Sequence, residues 1–196
     1  MTRAERLLAE AMRSSRRQSL VHFWKAQLLR ARGQYRAAIP DYEACLALDR
    51  NSILALAALG QCRFFLGDLE NVIPAQQQAI RLSPADPYLP NWYWRIGMVH
   101  LLQSRIDEAV DWLERASSAN PRLPGPHAWL VSAYALKGDL RRAAVELDEA
   151  RHLSGDNRYA SISAHRAVQP FGAARVRMLA EKTFFAGLRQ VGVPED

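Results

Sequence analysis

The stretch FFLGDLENVI, residues 64–73, closes one apolar run on Gly67 and opens a new amphipathic run within two residues. Three other stretches share its form: LRARGQYRAAI at 29–39, LLQSRIDEAV at 101–110 and YALKGDLRRAA at 134–144. Their turn residues are Gly33, Gly67, Ser104 and Gly138, separated by 34, 37 and 34 residues. Other markers keep the same beat, because Pro40 and Pro74 differ by 34 and Gly60 and Gly97 by 37. Self-similarity at such a period marks a stack of supersecondary units in which each buries its apolar face on its neighbours. Glycines at the turn positions suit the left-handed residue that ends one helix and starts the next. The expected elements are helices near 19–32, 35–48, 53–66, 69–82, 90–103, 106–118, 125–137 and 140–153.

The unit resembles the tetratricopeptide repeat, whose pattern runs W-x₂-L-G-x₂-Y…A-x₃-F…P. Its Leu-Gly pair is matched by Leu59-Gly60 and Ile96-Gly97, and replaced by Lys25-Ala26 and Leu130-Val131. The small alanine is matched by Ala38, Ala109 and Ala143, with Val72 departing. The later aromatic place holds Tyr42, Gln76, Leu113 and Leu147, and the closing proline is present as Pro84 and Pro121. The resemblance implies an all-α, right-handed superhelical solenoid of helix–turn–helix repeats forming a single domain over 1–196. The repeats are 19–52, 53–86, 90–123 and 124–157, with C-terminal helices at 158–190 that include a capping helix.

Residues 87–89, PYL, are three extra residues between the second and third repeats and produce the 37-residue spacing. Prolines at 84, 87 and 90 cannot continue a helix, so this joint is expected to be extended. Tyr93 takes the repeat's tryptophan place and is expected in the core. Trp94 points about 100° away around the helix and is the candidate for the surface. Pro40 and Pro74 sit early in their second helices and predict an irregular first turn or a kink there.

The two ends depart from the pattern. Ala4, Leu8 and Ala11 lie 34 residues before Ala38, Tyr42 and Cys45, so residues 2–16 look like half a repeat. Its open edge, at Leu7, Leu8 and Ala11, is expected to support weak self-association. Near the other end, Val176, Leu179, Phe184 and Leu188 form an apolar face expected to cover the open edge of the last repeat. The tail FFAGLRQVGVPED, with the repeats before it, also resembles the C-terminal ends of bacterial proteins carrying a class III nucleotidyl cyclase or winged-helix domain. That likeness implies a regulatory segment of an adenylate or guanylate cyclase, or of a transcription regulator. The residues of the cyclase chemistry would lie upstream of Met1.

Composition excludes several classes of function. The 196 residues are 49% hydrophobic and 23% charged, and their apolar runs stop short of a membrane span. The N-terminus lacks the apolar core of a secretory signal, and two cysteines make no disulfide framework, so a cytoplasmic location is expected. The net charge of +6 is local: residues 1–36 hold nine basic and two acidic groups, the remainder seventeen and eighteen. That basic run lacks interleaved aromatics for base stacking, which makes nucleic-acid binding through it the least favoured reading. The five histidines have no metal-binding spacing, no phosphate-cradling glycine loop occurs, and Cys45 and Cys62 read as packed thiols. No catalytic residue, metal or cofactor is expected.

The sequence therefore points to a non-enzymatic interaction module that holds a protein or peptide partner in a concave groove lined by the first helix of each repeat. In register, the groove positions are Phe23, Gln27 and Arg30, then Ala57, Gln61 and Phe64, then Trp94, Met98 and Leu101, then Ala128, Ser132 and Ala135, with Arg30 and Arg95 at the edge. Some members of the resembled family clamp a terminal carboxylate with Lys and Asn from this face. Here the matching places hold Phe23 and Gln27, Ala57 and Gln61, and Trp94 and Met98, so that clamp is missing. The remaining aromatic floor, edged by arginines, suits a segment with apolar anchors and an acidic group.

Overall fold

The computed structural model describes residues 15–168 and 171–196. The described residues form four helical hairpins followed by three shorter helices. The hairpins are α1 (Ser15–Ala31) with α2 (Tyr35–Leu48), α3 (Ile53–Leu66) with α4 (Val72–Leu82), α5 (Leu89–Leu102) with α6 (Ile106–Ala119), and α7 (Pro124–Lys137) with α8 (Leu140–Ser154). The C-terminal helices are α9 (Ile162–Val168), α10 (Ala174–Lys182) and α11 (Phe184–Gln190). Each hairpin packs on the next, and no strand occurs among the described residues. The fold is an all-α superhelical repeat. The expected half repeat at 2–16, with its self-associating edge, lies outside the described residues except for its last two positions.

The four turns share one geometry. Gly33, Gly67, Ser104 and Gly138 all have positive φ, at 72°, 82°, 59° and 88°. In each, the amide after the turn residue reaches back five positions, as Asp68 N does to Arg63 O at 3.0 Å and Arg105 N to His100 O at 2.9 Å. The second hydrogen bond, from Gly67 N to Phe64 O or Ser104 N to Leu101 O, satisfies another orphan carbonyl. Ser104 thus adopts the glycine conformation without the glycine.

The repeat's marker positions become its packing surfaces. Ala38, Val72, Ala109 and Ala143 are fully buried, as are Tyr42, Gln76 and Leu113. A Cβ on Gly97 would stand 2.6 Å from the Leu113 side chain, so the glycine lets α5 and α6 approach closely. Gln76, in an aromatic place, donates from Nε2 to Ala57 O at 3.1 Å and ties α4 to α3.

Three expectations change. The joint at 83–88 is not extended but folds as two successive turns. Asp86 N donates to Ser83 O, and the Asp86 carboxylate accepts from Tyr88 N at 2.8 Å. Those turns shorten the connection while letting Pro84 and Pro87 keep their fixed φ, and Pro90 falls in the first turn of α5. Second, Trp92 rather than Tyr93 is the core aromatic of α5, buried with Leu56 and Ala79 of the preceding repeat. Tyr93 is half-buried against Trp112 of its own repeat, with ring centroids 5.5 Å apart. Third, the two early prolines act differently. Ahead of Pro74 a separate 3₁₀ turn, Leu69–Asn71, precedes α4, whereas Pro40 lies inside a continuous α2.

Candidate functional site

The concave face is built from α1, α3, α5 and α7, and the structure divides it into two halves. The rear half is filled by the chain's own C-terminus. Phe64, Met98 and Leu101 share a buried cluster with Phe171, Val176, Phe184 and Leu188. At its two ends this contact is fixed by hydrogen bonds to backbone carbonyls. Ala173 N donates to Phe65 O at 2.8 Å, and Ser132 Oγ donates to Phe184 O at 2.6 Å. A Cβ on Gly187 would stand 2.5 Å from Ser132 Cα, so α11 lies directly on α7. Arg175 adds an ion pair to Glu70 at 2.7 Å, and the tail returns to α9 through Pro194 O and Ile162 N at 2.8 Å. Val176, Phe184 and Leu188 are thus fully buried, and they cover the inner groove rather than the outer edge of the last hairpin.

The front half is open. It is a cup of about 430 Å³ between α1, α3, the 83–88 joint and the start of α5. Its floor is the buried Phe23, Ala58 and Trp92, with Ala57 beside them. Its rim is Trp24, Leu54 and Tyr88, exposed to 66%, 49% and 59%. An adjoining cavity, reached past Phe23 and Tyr88, is lined by Ser19, Leu20, Asp49 and Asp86.

The polar equipment of the cup is cationic. Arg30 donates from Nε to Gln27 Oε1 at 2.9 Å and from Nη1 to Gln61 Oε1 at 2.9 Å, so two amides fix its guanidinium over the floor. Arg95 is half-buried in the opposite wall. Burial, reinforced by the nearby Arg30 charge, lowers its pKa to about 10, which leaves it charged at neutral pH. Among the described residues no carboxylate pairs with either group. Beneath the cup, burial pushes the Cys62 thiol up to about 11 despite the pull of Arg30 and Arg95. It is therefore a packed thiol and not a nucleophile at neutral pH.

The sequence-derived groove residues accordingly separate. Phe23, Gln27, Arg30, Gln61 and Arg95 meet in the cup. Phe64 and Met98 face the same groove but lie under the C-terminal helices. Trp94 is half-buried at the seam between α5 and α7, with its ring against Gly125. Trp24, Leu54, Tyr88 and Asn91 complete the cup and were not anticipated. Tyr88 belongs to the three inserted residues, so the irregular 37-residue spacing was the signal for it. Among the described residues no group of three or more His, Cys, Asp or Glu could hold a metal ion, and no helix is long and apolar enough to cross a membrane.

Residues 20–52, 54–86 and 92–123 match the tetratricopeptide repeat family. The chain belongs to that family. A search of curated proteins finds no significant match in sequence. Among solved structures, this tetratricopeptide repeat chain is similar to the MamA protein, at 17% identity over 89% of this chain and 90% of that one, with a TM-score of 0.64. YrrB, described as a TPR protein with an unusual peptide-binding site, is 14% identical over 93% and 91%, with a TM-score of 0.63. A thermophilic TPR protein of Thermus thermophilus is 19% identical over 88% and 91%, with a TM-score of 0.62. At these identities the likeness establishes the fold. As a tetratricopeptide repeat protein the chain is a protein-interaction scaffold.

Proposed function

We propose that the chain holds an extended segment of a protein partner in the front half of its groove. The observation that carries this reading is the division of the concave face. The rear half is occupied by residues 171–195, while the front half presents an open cup rimmed by exposed aromatics. Exposed Trp and Tyr around a buried apolar floor are the usual makings of a binding hot spot. Two guanidiniums without carboxylates make the cup complementary to an acidic segment rather than to a basic one. YrrB, of similar fold, is described as having a peptide-binding site, which fits a groove of this kind.

Peptides selected by display against the full chain test the proposal. Binding is expected to weaken by about tenfold or more in Trp24→Ala, as for buried aromatic anchors, and in Ala57→Arg, which crowds the floor. Val145→Glu, on the exposed outer face of α8, is expected to leave binding unchanged. Selected peptides indifferent to Trp24 and Ala57 would overturn the assignment.

A further inference from the structure

Large apolar side chains left in solvent gather on α1. Leu20, Val21, Trp24 and Leu28 are exposed to 51%, 63%, 66% and 52%, whereas no other described helix exposes more than two such residues. At 100° per residue the four fall within about 100° of arc. Ser19, Phe23 and Ala26, on the other side of the helix, are buried. Thus α1 is apolar on two faces, and the fold uses one of them. A contiguous exposed stripe of this kind marks a surface that meets something apolar. The charge around it narrows what that is. Between Glu10 and Asp41 the chain carries seven basic residues and no acidic one. Of these, Arg17 precedes the stripe, Lys25 flanks it and Arg32 follows it, all three exposed. Lys25 shares the buried Asp41 at 2.9 Å. Among the described residues no carboxylate pairs with Arg17 or Arg32. Two acids, Asp49 and Asp86, share a cavity with Leu20 at one end of the stripe.

We propose that the outward face of α1 lies on an anionic lipid bilayer, with Leu20, Val21, Trp24 and Leu28 among the upper acyl carbons and Arg17, Lys25 and Arg32 at the level of the phosphates. A tryptophan and aliphatic side chains edged by cations are the makings of a helix lying in a membrane interface. With 17 residues, and its other face in the front core, α1 rests on the surface and does not cross it. A second copy of the chain fits this face poorly, because α1 against α1 brings like charges together with no acidic residue on either helix. A bilayer demands apolar area and neutralising charge rather than a matching shape, and one helix face with cations beside it supplies both. Val21 and Leu28 do not line the cup, so lipid binding is separable from anything held there.

The test is co-sedimentation of the full-length protein with vesicles of phosphatidylcholine alone and of equal parts phosphatidylcholine and phosphatidylglycerol. Binding to the mixed vesicles is expected to be about tenfold or more tighter than to phosphatidylcholine, and to weaken as salt rises. Val21→Glu and Leu28→Glu should each weaken it by about tenfold or more, because each removes an apolar contact and adds a charge of the lipid's own sign. Both positions are exposed, so both variants should keep the helical circular dichroism of the parent. Arg17→Gln should lose part of the preference for phosphatidylglycerol while leaving the weaker binding to phosphatidylcholine unchanged. Val145→Glu, on the outer face of α8, should change nothing. No binding to mixed vesicles, equal binding to the two compositions, or binding that survives both Val21→Glu and Leu28→Glu would each overturn the proposal. Light scattering that shows a dimeric parent and a monomeric Leu28→Glu would also overturn it, because a second copy would then occupy the face.

Discussion

Ser104 is the residue at which the repeat departs from its own rule. With φ at 59°, it occupies a left-handed conformation that Gly33, Gly67 and Gly138 adopt at the other turns. A side chain in that region costs about 1–2 kcal/mol, whereas glycine enters freely but loses more freedom on folding. The balance favours glycine, and Ser104→Gly is expected to stabilise the chain by about 0.5–1 kcal/mol, seen as a higher urea midpoint at unchanged slope. A midpoint that stays or falls would show that the Ser104 side chain contributes more than its strain costs. The turn itself was legible, because spacing alone identified Ser104 as the partner of three glycines. Which of three consecutive aromatics enters the core was not. One face of α5 meets the preceding repeat and another meets its own second helix, so Trp92 and Tyr93 are both partly enclosed. Register with a consensus cannot say which enclosure is tighter.

At the scale of the element, the C-terminal helices show what an amphipathic pattern leaves open. Val176, Phe184 and Leu188 announced an apolar face, but the pattern names no surface for that face to meet. The answer depends on Gly187 lying against Ser132 and on Ala173 reaching Phe65 O, contacts between residues 55 and 108 positions apart. His165 is the joint between α9 and α11. Its ring lies 4.8 Å from Tyr159 and 5.4 Å from Phe184, measured between centroids. Burial, with the Arg151 charge adding to it, lowers its pKa to about 4. The unfolded chain therefore binds a proton near pH 6.5 that the folded chain refuses until about 4. Stability is whole above pH 6.5 and is expected to fall as pH drops through that window, by up to about 3 kcal/mol at its acid end. His127 runs the other way. Its hydrogen bond to Glu146 at 2.6 Å raises its pKa, so its contribution is present at acid pH and fades as pH rises through the folded value. Urea titrations between pH 4 and 7 should show the fall in the parent and a flatter profile in His165→Leu. Parallel profiles would remove His165 as the cause.

At the scale of the whole molecule, the core is not one body of contacts. Phe23, Ala26, Ala38, Tyr42, Leu59 and Cys62 form a front cluster in α1 to α3. A larger rear cluster runs from Phe64 through α5 to α8 and includes Phe171, Val176, Phe184 and Leu188. The C-terminal helices thus add a second layer to the rear repeats and reach the front only at the C-terminal end of α3. In a solenoid, local stability follows each repeat's own contacts and those with its neighbours, so the doubled region should open last. Native-state hydrogen exchange is expected to show α7 and α11 opening together at the highest free energy, with the central amides of α1 and α2 about tenfold or more less protected. The cup lies at the weaker end, on Phe23, Ala58 and Trp92. A bound peptide should therefore raise protection chiefly in α1 to α3, by an amount set by its concentration relative to its Kd, and leave α11 almost unchanged. Exchange of α11 ahead of α1, or a uniform gain across all helices on binding, would contradict a groove whose rear half is filled by the chain itself.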